Sequence, residues 1–512
     1  MNAKLRVCTN RLFILVLLSL ATALSATAQT TYEKAFRHNL WNDGYNVAGL
    51  RDDATSISFA ELFGGAEGGD FRRSSEATSS WNAGAQASTI KHLEKFSMIG
   101  SFSFRQEEGR NMCGSMFIAP GLYPVDILEF TPGRKTLQSY AFDGGISVDL
   151  SDSWRIGAKM DYRSSNISKR KDLRHTNYRL DMTVAPGIQY RFEGTGSSVG
   201  LNYIFSKDSE TISAEQVGTG ESSYYAFLDK GLMYGRYEVW SGSGVHLDEA
   251  GINGFPVKRS VHGVALQLSD EEEDFVQYSY LHSFTSVGEK QSIWYRSPSN
   301  IFEVLASSRT ESGSGLAYDR AGVTFEWTKN YETVLDKVTE NGVSTVVEYG
   351  QNRILTQKKF ILFDEYEYVS DRFDFRMRWD RSRTKSKASQ MYPFTVTQKI
   401  VEWSVVAEPV LRAGRWQWSA LLRWADGNVK ESSSSVSETS GVQTSMQRLE
   451  DYYAWDMEYR TCGRLDGGLT VRFTFPKGIY LEASGLGRKA FGLETITGSI
   501  RWETRFSLGI TF

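Results

Sequence analysis

Charged side chains recur at spacings of two in several stretches of this sequence. Arg155, Lys159, Asp161 and Arg163 form one ladder, and Arg179, Asp181 and Arg191 form the next. Arg372, Asp374, Arg376, Arg378 and Asp380 form a third, and Arg501, Glu503 and Arg505 the last. A period of two places each set on one face of a β-strand. Fixed charges of both signs on one face line a water-filled path, or pair across strands into a salt-bridge network. The near-equal signs favour pairing; a path that steers anions needs a clear surplus of Arg and Lys. Both readings stay open from the residues alone.

Bond-breaking chemistry finds little support. The sequence holds six histidines, His38, His92, His175, His246, His262 and His282. None stands in a recognisable catalytic motif, and none pairs at metal-ligand spacing. No enzyme, metal or cofactor is expected. Cys113 and Cys462 are too few to make a disulfide framework in an exported chain, and two reduced thiols are the plainer expectation. Net charge is −3 and no basic tract suggests nucleic acid.

A second distinctive stretch is residues 107–134. It carries Met116, Phe117, Ile118, Tyr123 and Leu128 among further apolar residues, too many for a freely solvated loop. It is expected to be buried, either as a constriction folded inward or as a docking surface for a partner or apolar ligand.

The elements that must position these residues follow from the same alternation. In Ser499–Phe512, Ile500, Trp502, Phe506, Leu508, Ile510 and Phe512 share one face, and Arg501, Glu503 and Arg505 share the other. Trp154, Ile156, Ala158, Met160 and Tyr162 oppose the first charged ladder in the same way. Strands with one apolar and one polar face, joined by tight turns at one end and long excursions at the other, suit a transmembrane antiparallel β-barrel. Trp154, Tyr162, Tyr178, Tyr190, Trp416 and Trp424 fall near strand ends on the apolar face, where an interfacial girdle belongs. The composition, with 25 Tyr, 29 Phe and 46 Gly but 9 Pro, agrees. A soluble sandwich or propeller is the alternative fold.

Residues 1–28 read as a secretory leader: Lys4, Arg6 and Arg11, then an apolar run to Leu24, then Ala26-Thr27-Ala28. Residues 29–78 lack clear alternation and are expected as a short non-barrel segment, a hatch inside the lumen or a periplasmic tail. The barrel is then 79–512, and at ~10 residues per crossing it has about 14 strands, with roughly 12 to 16 allowed. Long outer loops are expected at 207–257, 329–351 and 431–447, and Tyr453, Trp455, Met457 and Tyr459 read as a further strand.

The terminal strand, with Trp502, Phe506 and Phe512, resembles the closing strand of bacterial outer-membrane barrels. The resemblance implies recognition by the outer-membrane assembly machinery. Further along, Gly69–Arg73 (GDFRR), Ser79–Trp81 (SSW), Asn111–Ile118 (NMCGSMFI), Tyr123–Glu129 (YPVDILE), Lys169–His175 (KRKDLRH) and Leu180–Met182 (LDM) resemble an uncharacterised family of Bacteroidota outer-membrane barrels. That resemblance implies an outer-membrane location, often with genes for TonB-dependent transporters and surface lipoproteins nearby. It brings no catalytic residues. The N-terminal segment is too short for the plug domain of a TonB-dependent receptor.

The expectation is therefore a porin-like barrel in outer-membrane lipid, acting in transport as a channel or gated pore. The alternative is a plugged, non-conducting subunit that docks on a TonB-dependent transporter or a surface lipoprotein.

Overall fold

The computed structural model describes residues 32, 36, 39–52, 56–217, 226–232, 237–240, 252–270, 274–289, 292–340, 343–389, 395–433 and 443–512. The leader expected at 1–28 lies outside the described residues.

The strands are β1 (Ile57–Gly69), β2 (Ser79–His92), β3 (Phe96–Ser115), β4 (Asp126–Asp149), β5 (Trp154–Lys169), β6 (Arg174–Arg191), β7 (Ser198–Glu215), β8 (Ala226–Asp229), β9 (Tyr237–Trp240), β10 (Ile252–Asp270), β11 (Asp274–Glu289) and β12 (Ser292–Ser312). They continue as β13 (Gly315–Glu340), β14 (Val343–Val369), β15 (Phe373–Ser389), β16 (Thr395–Ala413), β17 (Trp416–Ser433), β18 (Gly463–Thr474), β19 (Ile479–Phe491) and β20 (Ile500–Thr511). One α-helix, α1 (Gln443–Thr461), separates β17 from β18.

Each barrel strand pairs antiparallel with its neighbours, and β7 passes directly to β10. The hairpin β8–β9 stands outside this ring and pairs with the start of β4, Leu128 opposite Phe227. β20 pairs with both β19 and β1, so the sheet closes. Among the described residues the closed barrel has 18 strands. Closure leaves no exposed strand edge, which is what a sheet in lipid requires.

The count exceeds the expected 14 because several strands hide their alternation. β1 carries Ile57, Phe59 and Phe63 on the same face as Glu61, and Ala60 and Leu62 on the other. With apolar residues on both faces and four glycines, its period cancels, so the barrel starts at Ile57 rather than at 79. Residues 329–351, expected as a loop, lie mostly in the β13–β14 hairpin, whose strands run 26 and 27 residues. Residues 453–459 are helical, not a strand: Leu449, Tyr452 and Tyr459 recur at helical spacing and pack inward, a period that overlaps the alternation of Tyr453, Trp455, Met457 and Tyr459.

The outer face is apolar. Leu62, Leu201, Phe302, Phe506 and Phe512 are all more than half exposed. Trp154, Tyr178, Trp416 and Trp424 are exposed beside them, as is Trp502 of β20. A continuous band of this kind on a soluble protein would be an aggregation surface; around a closed barrel it matches hydrocarbon. Among the described residues no helix is long and apolar enough to cross a membrane.

The turns β2–β3, β4–β5, β6–β7, β10–β11, β12–β13, β14–β15, β16–β17 and β18–β19 are short and lie at one end, where β1 begins and β20 finishes. Longer connections, including α1, gather at the other end.

Candidate functional site in the barrel lumen

The segment before β1 enters the lumen from the short-turn end. Two 3₁₀ turns, Leu40–Asp43 and Val47–Asp52, hold it in a compact form. Asn39 caps the first, its Oδ1 accepting the Trp41 N–H at 2.9 Å, and its amide donates to the Gly49 carbonyl at 3.1 Å. Leu40, Trp41, Val47, Ala48 and Leu50 are buried. Each such large side chain contributes roughly 1.5–3 kcal/mol on burial.

The wall is shaped for this segment. Gly145, Gly157, Gly187 and Gly200 stand on the lumen face of β4, β5, β6 and β7, Gly157 directly opposite Gly187. A Cβ on Gly157 would lie 2.7 Å from the Ala48 nitrogen, and one on Gly187 would lie 2.3 Å from Asn46 Oδ1. A Cβ on Gly200 would meet Trp41 at 2.8 Å, and one on Gly145 would meet Val47 at 3.1 Å. The missing side chains form a track into which Trp41 and residues 46–48 settle.

Beside the track the wall offers buried amides. Asn46 Nδ2 donates to Gln267 Oε1 and to the Ile188 carbonyl, both at 3.1 Å. The Tyr45 N–H donates to Gln277 Oε1 at 2.9 Å, and its hydroxyl to Glu303 at 3.1 Å. Burial, and then the Glu303 charge, push the Tyr45 phenol above its usual range. Asp43 pairs with Arg320 at 3.1 Å and accepts from Ser307 at 2.9 Å. Ser147 donates to the Ala48 carbonyl at 2.7 Å. These contacts run from β4 round to β13, most of them near the short turns, with Glu303 deeper along β12.

The long-loop end is covered differently. Met116, Phe117, Tyr123 and Leu128 are buried. Met116, Phe117 and Tyr123 pack with Ile212, Phe255, Val287, Tyr295 and Ile354, and Leu128 packs with Phe227 and Leu449 of α1. The Ile118 N–H donates to Glu210 at 2.9 Å, and Asn177 Nδ2 donates to the Met116 carbonyl at 2.8 Å. The Tyr123 hydroxyl donates to Asp208 at 2.8 Å; burial and the Asp208 charge hold that phenol protonated to higher pH than usual. Only 116–125 of the stretch expected as a loop at 107–134 is loop, because β3 runs to Ser115, β4 starts at Asp126 and the two pair there. That loop and the start of β4 form an inward cap. Below it Lys169 pairs with Glu129 at 2.6 Å, both side chains buried.

α1 covers the rest of that end. Glu458 accepts the backbone N–H groups of Glu494, Thr495 and Ile496. Trp455 Nε1 donates to the Arg72 carbonyl at 2.7 Å, Tyr459 stacks on Phe71, and Arg460 pairs with Glu402 at 2.8 Å. Burial raises the pKa of Asp456 on the same helix.

The charged ladders meet partners. Arg155 pairs with Asp149 at 3.3 Å, and Arg179 with Asp208 at 2.8 Å and Asp181 at 3.5 Å. Arg376 reaches Glu365 at 2.7 Å and Glu408 at 3.0 Å; Arg378 reaches Asp380 at 2.8 Å. Asp374 pairs with Arg412. Arg501 holds Glu67 at 2.9 Å, Arg505 holds Glu61 at 2.6 Å, and Glu503 lies 3.9 Å from Arg488. Arg372 departs from the expected ladder: it sits exposed in the β14–β15 turn, one step beyond the last lumen position.

Space remains beside the inserted segment. One cavity of about 190 Å³ lies among Glu61, Asp374, Arg376, Glu408, Arg412 and Arg472. Another, of about 580 Å³, is lined by Lys159, Asp161, Arg163, Asp181, Tyr32 and Phe36. Among the described residues no group of three or more His, Cys, Asp or Glu is placed to hold a metal ion, and Cys113 and Cys462 are free thiols.

The glycine track and α1 are the parts of this site that alternation does not reveal. A signal for the track exists: in β4 to β7 a glycine takes a lumen position a few residues from a short turn.

Fold and lumen together define a large closed antiparallel β-barrel with an apolar outer face and an occupied interior. The chain belongs to a family of unknown function, DUF6850, whose model matches residues 47–512. A search of curated proteins finds no match. Among solved structures it is similar to the ferric-catecholate import receptor Fiu of E. coli K12, at 6% identity over 90% of this chain and 82% of that one, TM-score 0.42. It is also similar to FpvA of P. aeruginosa, solved with bound pyoverdines, at 7% identity over 89% and 72%, TM-score 0.40. BauA, the ferric preacinetobactin receptor of Acinetobacter baumannii, aligns at 8% identity over 90% and 80%, TM-score 0.40. Scores this low lend no support to a shared cargo or partner.

Proposed function

We propose that this chain is a gated transport barrel of a Gram-negative, Bacteroidota-type outer membrane, closed at rest by its own N-terminal segment. The apolar outer band supports the membrane, and the short turns then face the periplasm. The observation that carries the gate is the glycine track. Four strands give up a side chain at the level where residues 41–48 lie, a fit that a loosely trailing tail would not need. The paired charges of the lumen wall give a polar path once the segment leaves.

Planar-bilayer recording of the full chain and of a deletion of residues 39–52 tests this. The full chain should be nearly silent and the deletion should conduct steadily. A deletion that folds and stays silent would sink the gate.

A second reading has its own support in the cap at the long-loop end, where the 116–125 loop, the start of β4, β8 and α1 pack together. In that reading the barrel is a plugged anchor for a TonB-dependent transporter or a surface lipoprotein. Mild-detergent purification that yields such a partner at equal stoichiometry, with a silent deletion variant, would favour it.

A further inference from the structure

The register of β17, β18 and β19 places Arg423 opposite Asp466, and Asp466 opposite Arg488, in one row across the lumen wall. Neighbouring strands are ~4.8 Å apart, so the two arginine backbones stand about 10 Å apart with a single carboxylate between them. Arg464 lies one lumen position nearer the long-loop end on the middle strand, beneath the ring of Tyr459 from α1, 5.7 Å from its centre.

These arginines are less fully paired than Arg376 and Arg505 elsewhere in the lumen. Arg376 makes hydrogen bonds to both Glu365 and Glu408, and Arg505 holds Glu61 at 2.6 Å. By contrast, Arg423 has no carboxylate within ion-pair distance among the described residues and reaches Ser404 at 3.5 Å. Arg464 stands 3.4 Å from Asp466 without a hydrogen bond, and Arg488 is 3.9 Å from Glu503. The buried Nε atoms of Arg423 and Arg464 have no hydrogen-bond partner. Each guanidinium presents a planar fork of N–H donors that matches a carboxylate or phosphate group bidentately. Buried donors are normally satisfied. Here the Arg423 and Arg464 Nε donors are open, and the one carboxylate among them, Asp466, has an unpartnered Oδ1 3.4 Å from Arg464, so three guanidiniums share a single acid and leave donors for an added acceptor.

We propose that Arg423, Arg464 and Arg488 form an oxyanion-binding site in the lumen, taking the carboxylate or phosphate group of a solute. Tyr459 roofs it, so the site lies directly beneath α1. It does not depend on the gate: the contacts of these arginines are to Ser404, Asp466, Glu503 and Tyr459, not to residues 39–52.

Calorimetric titration of the detergent-solubilised full chain with citrate and, separately, inorganic phosphate tests the site at low salt. The same titrations on Gly157→Leu, with the N-terminal segment displaced, remove restricted access as a cause of a negative result. Saturable binding of either anion is expected, and which anion binds tells a carboxylate site from a phosphate site. Arg423→Gln and Arg488→Gln should each weaken it by about tenfold or more, the loss of a charge-assisted hydrogen bond. Arg105→Gln, a half-exposed lumen arginine on another strand, should leave it within about twofold. No saturable binding of either anion in either protein overturns the proposal. Equal weakening by Arg105→Gln overturns it too, since that marks a general field and not a site.

Discussion

The two halves of the lumen wall follow different rules. From β4 to β13 the wall carries glycines, buried amides and, at the long-loop end, an apolar cluster. It lies against the chain's own residues 39–50 and 116–128. From β14 through β20 to β1 the wall carries carboxylates and guanidiniums in shared pairs, many of them partly exposed, and it lines open space. The first half is dry where those two segments lie, with the cavity of Lys159, Asp161 and Asp181 between them; the second is wetter and meets α1 only toward its long-loop end. A charge buried under those segments has no water in reserve when a partner is lost, whereas a charge facing the open space does.

The largest test of that difference is steric. Gly157→Leu puts a side chain where Ala48 lies and should expel the N-terminal segment while the barrel stays folded. Conductance should rise from near silence to that of the 39–52 deletion. Gly485→Leu, on the outer face with open space around it, should leave the full chain silent. If both variants conduct alike, the track is not a seat.

The next effect is on stability. Lys169→Met removes the cation 2.6 Å from the buried Glu129, whose remaining hydrogen bond comes from the Thr131 N–H, and breaking such a buried pair costs about 3–5 kcal/mol. Urea unfolding followed by tryptophan fluorescence should show the loss. An unchanged midpoint would mean water reaches Glu129 and the cap is not dry.

Smaller again is Tyr45→Phe, which removes the bond to Glu303 but keeps the ring. It should loosen the segment by about 1 kcal/mol, seen as brief openings in bilayer recordings. Openings as long as those of Gly157→Leu would move the main hold from the glycine track to this hydroxyl.

The same contrast explains what could be read from the sequence. On the outer face every strand meets the same surroundings, so Trp154, Met160, Trp502 and Phe506 announce themselves by period alone. The stretch around 116–128 was legible as buried because its apolar content left no other choice, and of its two expected places the inward one is where it lies. The inner face was harder, because what fills it is set by residues far away in sequence. Glu61 meets Arg505 only after the barrel closes, and the glycines of β4 to β7 acquire meaning only once Trp41 and Asn46 lie against them. β1 stayed hidden because its lumen face must be apolar at Ile57 to pack on Ile90, beside the inserted segment. Helix α1 stayed hidden because its aromatic spacing satisfies two periods at once.

The smallest expected effect falls in the wet half and sharpens the contrast with Lys169. Arg378 pairs with Asp380 at 2.8 Å and lies 3.4 Å from Glu365, with its side chain about a third exposed. Glu365 also receives Arg376 and Arg320, so Arg378→Gln leaves it with two cations. Asp380 loses its bidentate partner but has water beside it. The variant should therefore cost no more than about 1 kcal/mol, the range of solvent-screened pairs. The same urea series that reads Lys169→Met reads this, and added salt should shrink the Arg378 effect while leaving the Lys169 effect largely intact, because mobile ions screen exposed charges more than buried ones. A loss of 3 kcal/mol or more at Arg378 would mean that this wall is as dry as the other and that its charges brace the barrel from within, leaving no aqueous path along them.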